Sequence, residues 1–419
     1  MAGWCYSGKC EMNPEAKIQQ MSDADADSYR VLSAEVIGEN DDLLTEILIR
    51  VPAKPLIRFK CVSKRWLSLI SHPAFCRRHA VRHPSSKVSG IFLRRTPGDS
   101  QSDFRFVSLT SNYPVSPLTS LHFSPDPNGV RILQSCNGLL LCSSLGKFGT
   151  PRRYSVYNPT TKQFSVLPQS YPLAQQSIAI FGVNLAFDPT RSPHYTVICV
   201  SATVESCYFY QIMIYSSESE TGNWRLSGSP FNAPYDMAFG DGVYWNGAIH
   251  WTSPKGSSLY FDITQECLGR MPNLPHLGGS YYLVAACGRL NLIQICGPRS
   301  SQIQVSQMER DYSKWSLKYQ VDLAELKPAF PDMIRFPDGH LPCCLRSSSS
   351  HNFIVLSLIP DENEEHPSLL LHIPGKLIIY RFKDETFMTI CDLMLSPTNH
   401  SLQFGWRDAY QFIETLACV

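Results

Sequence analysis

Few residues of this chain have the types and spacing that catalysis or metal binding requires. The stretch HLPCC, His340 to Cys344, brings together one imidazole and two thiols, which are ligands that zinc accepts. The stretch NEEH, Asn363 to His366, places two carboxylates beside an imidazole. Zinc sites need a second pair of ligands, and the sequence contains no CxxC pair to supply one. We therefore expect no metal at HLPCC and a solvated loop at NEEH.

Signals for catalysis are equally sparse. His250 lies between Ile249 and Trp251 on a predicted strand, where alternation points it to the opposite face from both neighbours. This placement is typical of a structural histidine rather than a general base. The stretch FGDGVYWNG contains a GxG, but its third glycine comes two places late for a phosphate loop, so we interpret it as a turn. GxSxG, HExxH and Walker-type motifs do not occur in the sequence, and we expect neither enzymatic activity nor a cofactor.

The composition is that of a folded protein without a strong global charge. Of the 419 residues, 43% are hydrophobic and 17% charged, which excludes the disordered and fibrous classes, and the net charge of +1 favours neither nucleic acid nor membrane. Residues 1–30 contain no apolar core segment, so we expect no secretory signal, and no apolar stretch is long enough to span a membrane. We expect an intracellular protein, in the nucleus or the cytoplasm, with its 15 cysteines reduced.

Helical periodicity is confined to the N-terminal part of the chain. Residues 1–34 are polar and aperiodic, and we expect them to be a disordered leader. Within 35–82, one helical stripe contains Leu43, Leu44, Ile47, Leu48 and Val51. Pro52 and Pro55 stop this helix, and a second apolar pattern follows, which Ser63 divides as an N-cap and Pro73 ends. The pattern predicts a small all-α module of three short helices.

From residue 83 to residue 419 the sequence changes to short strands and turns. Five segments repeat an apolar run, a polar turn and a second apolar run, and their matching positions, spaced 58, 46, 44 and 75 residues apart, are Tyr157, Tyr215, Phe261, Val305 and Tyr380. A second repeated element places a glycine before an apolar strand, as in CNGLLLC, WNGAIHW, CGRLNLI and PGKLIIY. Hairpins at such spacing predict a β-propeller of six to eight blades, with a pair of β-sandwiches as the alternative.

The two ends of this β-rich region have strand patterns of their own. The stretch SGIFLRR stands near its beginning, and YQFIETLACV closes the chain. We predict that these two strands lie in one blade or in adjacent blades and close the propeller.

Charge is distributed unevenly around the helical module. From Ile47 to Gly98 there are twelve Lys or Arg and no acid, whereas Asp23 to Glu46 has eight acids and one Arg. One interpretation of this basic stretch is that it binds the phosphates of a nucleic acid, and another is that it is a solvated basic face without a partner. A third is that the module docks on another chain, because about forty residues rarely bury so many apolar side chains among themselves. Basic flanks would then steer an acidic partner.

The motifs of the helical module resemble those of a known family. The stretches DLLTEIL, RVPAKPLIRFKCVSKRW and LISHPAF occur in the order and at the spacing of the F-box, the module by which substrate receptors join Skp–cullin–F-box ubiquitin ligases. Further along, SCNGLLLC, YSVYNPTTKQF and the closing YQFIETLACV resemble the plant F-box-associated interaction domain. One departure is that the F-box usually begins with Leu-Pro, where this chain has Glu39-Asn40.

The resemblance implies which residues contact the adaptor. Leu43, Leu44, Ile47 and Leu48 would form the first helix of the interface, and Pro52 the turn after it. Leu56, Val62, Trp66 and Ile70 would build the remaining helices, some facing the adaptor and others the core of the module. Lys64 and Arg65 would lie at the rim opposite acidic groups. The sequence alone does not determine which of these apolar side chains face the core of the module.

The leading hypothesis from the sequence is a non-enzymatic substrate receptor. A Skp-type adaptor, and through it cullin and RING subunits, would bind the F-box, while the β-rich domain binds a protein target through loops that the sequence does not identify. The alternatives are a propeller-based small-ligand binder or enzyme, a basic nucleic-acid-binding protein, and an adaptor-bound protein that sequesters its partner. We expect no membrane contact and favour a protein target over nucleic acid.

Overall fold

Two compact units make up the chain, Met1–Phe75 and Cys76–Val419. The computed structural model describes residues 36–83, 88–94, 104–110, 129–145, 152–169, 178–203, 209–219, 222–274, 279–296, 300–326, 328–333, 353–360, 366–393, 402 and 404–419. The predicted leader, the HLPCC stretch and all of NEEH except His366 lie outside these residues.

The first unit begins with a capped helix. After a short helical turn at 36–39, α1 spans Asp41–Leu48. The side-chain oxygen of Asn40 accepts hydrogen bonds from the backbone N–H groups of Asp42 at 2.9 Å and Leu43 at 3.1 Å. Two N–H groups of the first turn therefore have a partner, and the acids Asp41 and Asp42 lie at the positive end of the helix dipole. Asn40, which departs from the family pattern, serves here as the N-cap.

Three more helices follow, so the prediction of three helices is wrong: residues 36–83 contain four after the opening turn, and Pro73, which was expected to end the helical segment, begins the fourth. They are α2 (Ala53–Phe59), α3 (Lys64–Ser71) and α4 (Pro73–Arg82), the last of which contains the division between the units. The prediction that Ser63 is an N-cap is confirmed, since its hydroxyl accepts a hydrogen bond from the Trp66 N–H at 3.1 Å. Leu56 and Ile70 are fully buried, so α2 and α3 contribute the centre of a small core.

The second unit is a β-propeller of six antiparallel sheets. The blade that joins the chain ends contains β1 (Gly90–Arg94) and β2 (Phe104–Ser108). Blade one contains β3 (Val130–Cys136), β4 (Leu139–Ser144), β5 (Tyr154–Asn158) and β6 (Gln163–Val166). Blade two contains β7 (Ile178–Ala186), β8 (Thr196–Thr203), β9 (Tyr210–Ser216) and β10 (Arg225–Phe231). Blade three contains β11 (Val243–Trp245), β12 (Ala248–Trp251), β13 (Leu259–Asp262) and β14 (Cys267–Arg270).

The remaining blades complete the ring. Blade four contains β15 (Gly279–Ala286), β16 (Arg289–Cys296), β17 (Gln302–Met308) and β18 (Trp315–Asp322). Blade five contains β19 (Ile354–Pro360), β20 (Pro367–Ile373), β21 (Lys376–Arg381) and β22 (Thr386–Asp392), and β23 (Ala409–Phe412) joins β1 and β2. The innermost strands β3, β7, β11, β15, β19 and β23 surround a central channel. We call the side where they begin the start face, and the opposite side the end face.

The repeated segments of the sequence occupy equivalent places in the blades. Tyr157, Tyr215, Phe261, Val305 and Tyr380 lie on β5, β9, β13, β17 and β21, the third strand of each four-stranded blade. The prediction of a propeller is therefore confirmed, and six blades fall within the predicted range. The 75-residue spacing before Tyr380 contains the connection from β18 to β19 and no extra strand in its described part.

The second repeated element is not equivalent throughout. Gly138, Gly247 and Gly288 lie in turns between the first and second strands of their blades, whereas Gly375 lies between the second and third strands. In the first of these turns Asn137 and Gly138 both have positive φ, 45° and 94°, as a type I′ hairpin requires. The motif therefore marks tight hairpins rather than a fixed position in the blade.

Pairing of the two terminal strands closes the ring, as predicted. β1 is antiparallel to β23, with Phe92 opposite Tyr410 and Gly90 opposite Phe412. The Phe412 ring contacts the Phe92 ring edge-on at 5.7 Å, and both side chains are buried. Beyond β23, the Asn158 side-chain amide donates hydrogen bonds to the carbonyls of residues 415 and 417, at 3.2 and 2.7 Å. The C-terminal segment thus joins the closing blade to blade one.

Removing the closing contacts should destabilise the propeller strongly. We expect Phe412→Ala to lower the free energy of unfolding by about 3–5 kcal/mol, because it empties a buried site between aromatic rings. Deleting Tyr410–Val419 should lower the melting temperature further. Thermal unfolding followed by circular dichroism measures both effects. The control is Leu226→Ala, whose side chain is 62% exposed; an unchanged melting temperature after the deletion would refute closure by this strand.

Candidate functional site

The first helix divides its four leucine and isoleucine side chains between core and surface. Leu44 and Leu48 are buried, with 4% and 2% of their surface exposed. Leu43 and Ile47 are 45% and 49% exposed. Residues four apart lie on one face of a helix, so Leu43 and Ile47 form a common apolar surface, which we call the α1 face. Exposed apolar surface of this kind is typical of an interaction site.

The other residues that the sequence nominated divide in the same way. Leu56 and Ile70 are buried, Trp66 is half-buried, and the exposed group consists of Pro52, Val62, Lys64 and Arg65. The Trp66 ring meets the Phe59 ring edge-on at 5.7 Å, which joins α2 to α3 inside the unit. Four of the eleven nominated side chains therefore build the core of the module, and the exposed ones lie on its surface.

Arg65 has a structural task that the sequence did not indicate. Its guanidinium bonds the Asp41 carboxylate at 2.8 Å, the Gly38 carbonyl at 2.7 Å and the Glu39 carbonyl. These contacts connect the start of α3 to the turn before α1, twenty-four or more residues away in the chain. Because both charged side chains are exposed to solvent, the ion pair contributes about 1 kcal/mol or less, and its role is to fix the geometry of the α1 entrance.

A cavity of about 530 Å³ lies in the central channel of the propeller. The polar side chains that line it bond one blade to another. Gln134 of β3 donates to the carbonyls of Leu185 at 3.2 Å and Gly242 at 3.1 Å, and accepts from the Leu185 N–H at 2.7 Å. Gln411 of β23 donates to the Ser357 hydroxyl at 2.8 Å. Both glutamines thus have structural partners.

His250, the one histidine that the sequence analysis weighed as a base, is fully buried in blade three. Its Nδ1 lies 3.1 Å from the Val243 carbonyl, which can only accept, so Nδ1 carries the proton and Nε2 accepts from the Tyr312 hydroxyl at 2.8 Å. The ring also lies nearly parallel to the rings of Tyr260 and Tyr312, at centroid distances of 5.8 and 5.6 Å, and these two tyrosines stack on each other at 4.2 Å. Burial lowers the pKa of His250 to about 4. The prediction of a structural histidine is confirmed by these contacts.

The low pKa of His250 should make stability depend on pH. In the unfolded chain the pKa returns to about 6.5, so the unfolded state binds the proton more tightly, and stability falls as the pH drops from 6.5 through 4. The loss contributed by this residue should reach roughly 3 kcal/mol. Denaturant titrations across this pH range measure it. His250→Phe should reduce the pH dependence, leaving the part due to His372, whose pKa burial also lowers. His194→Gln, which changes an exposed histidine, should leave the pH dependence as in the wild type.

Other candidate sites are not supported by the part of the chain that the structure describes. Within it, no group of three or more His, Cys, Asp or Glu residues could hold a metal ion. The GxG of FGDGVYWNG forms a short 3-10 turn, Phe239–Asp241, that leads directly into β11, as the turn interpretation predicts. No helix among the described residues is both long and apolar enough to cross a membrane.

Comparisons with known proteins agree with this architecture. Residues 40–78 match the F-box domain family, and residues 106–327 match the family described as KIB1-4 beta-propeller. A helical F-box followed by a β-propeller defines the class. The chain is 34% identical to F-box protein At5g07610 of Arabidopsis thaliana, over 92% of this chain and 94% of that one. It belongs to the F-box protein family.

Two further comparisons gave weaker matches. Putative F-box protein At3g10430 of Arabidopsis thaliana is 25% identical over 80% of this chain and 88% of its own length. Among solved structures, TolB from Acinetobacter baumannii matches with a TM-score of 0.39 and 13% identity, over 77% of this chain and 66% of that one. The family matched by the β-rich region is the KIB1-4 propeller, a different label from the F-box-associated interaction domain that the sequence motifs resemble.

Proposed function

We propose that this protein is the substrate-recognition subunit of an SCF-type cullin–RING ubiquitin ligase. Its F-box would dock on a Skp-type adaptor, which connects it to cullin and RING subunits, and its propeller would bind the protein to be ubiquitinated. The observation that carries the proposal is the α1 face, where Leu43 and Ile47 are about half exposed although the unit has a core of its own.

The proposed role is one of positioning. Holding a target lysine near the activated thioester of a ubiquitin-conjugating enzyme raises its effective concentration, which accelerates transfer without any catalytic group from this chain. The bond-forming chemistry would belong to the conjugating enzyme and the RING subunit. A rigid propeller that presents loops at its two faces suits the recognition half of this task. We place the protein in the nucleus or the cytoplasm, and imaging of a fluorescent fusion tests this localisation.

The division of α1 into a buried and an exposed side defines the experiment. We expect the wild type to co-purify with a Skp-type adaptor and Leu43→Asp/Ile47→Asp to lose the adaptor, since two carboxylates would be buried unpaired at the interface. This variant should keep the helical content and melting temperature of the wild type, because both side chains are exposed. Leu44→Asp/Leu48→Asp should instead unfold the module.

A matched control is available on the propeller. Leu226→Asp/Leu317→Asp introduces the same two charges at side chains that are 62% and 53% exposed, and adaptor binding should be unchanged. If Leu43→Asp/Ile47→Asp is folded and still retains the adaptor, the α1 face is not the interface. A wild type that purifies without any adaptor would refute the ligase role itself.

A further inference from the structure

Three arginines meet on the start face where the closing blade adjoins blade one. Arg94 is the last residue of β1, Arg131 is the second residue of β3, and Arg152 lies just before β5. Since β1 runs antiparallel to β23, the end of β1 and the beginnings of β3 and β5 lie on the same side of the ring. We call these three residues the arginine cluster. Strand topology brings them together from distant parts of the sequence.

The positive charge of the cluster is only partly compensated. Asp408 accepts hydrogen bonds from Arg94 at 2.9 and 2.7 Å, and its other oxygen accepts from the Gly405 N–H at 2.9 Å. Among the described residues, neither Arg131 nor Arg152 forms an ion pair. Burial lowers the pKa of the Arg131 guanidinium, and the charges of Arg94 and Arg152 lower it further. The Arg131 guanidinium is half-buried beside two other positive charges, so an anion bound next to it would stabilise its charged form.

The surroundings of the cluster indicate what kind of anion fits. Tyr154 and Tyr410, the aromatic side chains beside it, are both 7% exposed and so offer no open ring on which a base could stack. The chain as a whole has a net charge of +1, without the excess of positive charge that tracks a nucleic-acid backbone. Guanidinium groups pair strongly with carboxylates through charge-assisted hydrogen bonds, as Arg94 already does here through two bonds to one oxygen of Asp408.

Neighbouring parts of the start face also favour contact with a protein. In blade two, Phe181, in the first half of β7, and Phe209, just before β9, are 42% and 50% exposed, and Phe181 lies at a bulge of the inner strand. Exposed aromatic side chains are enriched at protein interfaces, and bulges commonly re-aim side chains beside binding sites.

We propose that the arginine cluster is the part of the propeller that binds an acidic segment of the target protein. This inference rests on the proposed receptor function for the identity of its partner. Arg131 and Arg152 would bind two carboxylates of the segment, while Arg94 stays held by Asp408 and fixes the floor of the site. A target would then be recognised by a run of Asp or Glu side chains on the start face.

A peptide-binding assay on the full chain tests the cluster. The probe is a fluorescein-labelled hexaglutamate peptide, and binding is measured by fluorescence anisotropy at low and high salt. We expect the wild type to bind at low salt, and Arg131→Gln/Arg152→Gln to bind at least about ten-fold more weakly, since two charge-assisted contacts are lost. Arg152→Gln alone, at an exposed position that cannot disturb the core, should weaken binding in the same direction.

The control removes two positive charges from the end face. Lys162 lies in the β5–β6 turn and Arg310 in the β17–β18 turn. The variant Lys162→Gln/Arg310→Gln should bind the probe as tightly as the wild type. A wild type that fails to bind, or a cluster variant that binds like the control, overturns the proposal. Stronger binding of labelled single-stranded DNA than of hexaglutamate, lost in the cluster variant, overturns it in favour of a nucleic-acid surface.

Adaptor co-purification separates this proposal from the receptor function. Arg131→Gln/Arg152→Gln should retain the adaptor, because the substituted side chains belong to the propeller. If the peptide binds through the cluster while the wild type captures no adaptor, the acidic-segment site stands and the ligase role fails. If the adaptor binds and the peptide does not, the site on the start face is wrong and the receptor function is unaffected.

Discussion

The antiparallel pairing of β1 with β23 is the constraint on which the propeller depends. Five blades are each built from consecutive strands, but the sixth exists only when residues 90–94 meet residues 409–412. An unpaired β23 would leave β1 with an open strand edge and would remove the strand that β3 and β19 contact from the adjacent blade. The hydrogen bond from the Ser135 hydroxyl to the Gln411 carbonyl, at 2.6 Å, extends this dependence into blade one.

The helical unit, in contrast, is too small to bury all its apolar residues. Its short helices bury Leu44, Leu48, Leu56 and Ile70, and this small core fixes α1 in one orientation. The Asn40 cap and the contacts of Arg65 with the turn before α1 add order to the same end of the helix. The exposed pair Leu43 and Ile47 is thus presented on a rigid element, which would lower the entropy lost if a partner binds there.

The parts of the fold that could be predicted from sequence are those that local patterns determine. Alternating apolar residues and tight turns identified the third-strand hairpins, since both signals lie within about fifteen residues. The inward and outward sides of α1 could not be predicted, because its apolar stripe is wider than the core that covers it. The contacts of Arg65 and the arginine cluster escaped detection for a different reason: their members lie 21 to 58 residues apart and meet only through the tertiary fold.

The way the channel is built explains why recognition is expected at the faces of the ring. Gln134 and Gln411 point into the channel, yet their amides are occupied by bonds to β7, β19 and the start of β11. A ligand there would have to break contacts that hold neighbouring blades together, leaving buried backbone groups unpaired. Side chains at the strand ends are not under this constraint. Arg131 and Arg152 lie at such ends, so they can gain a partner without weakening the ring.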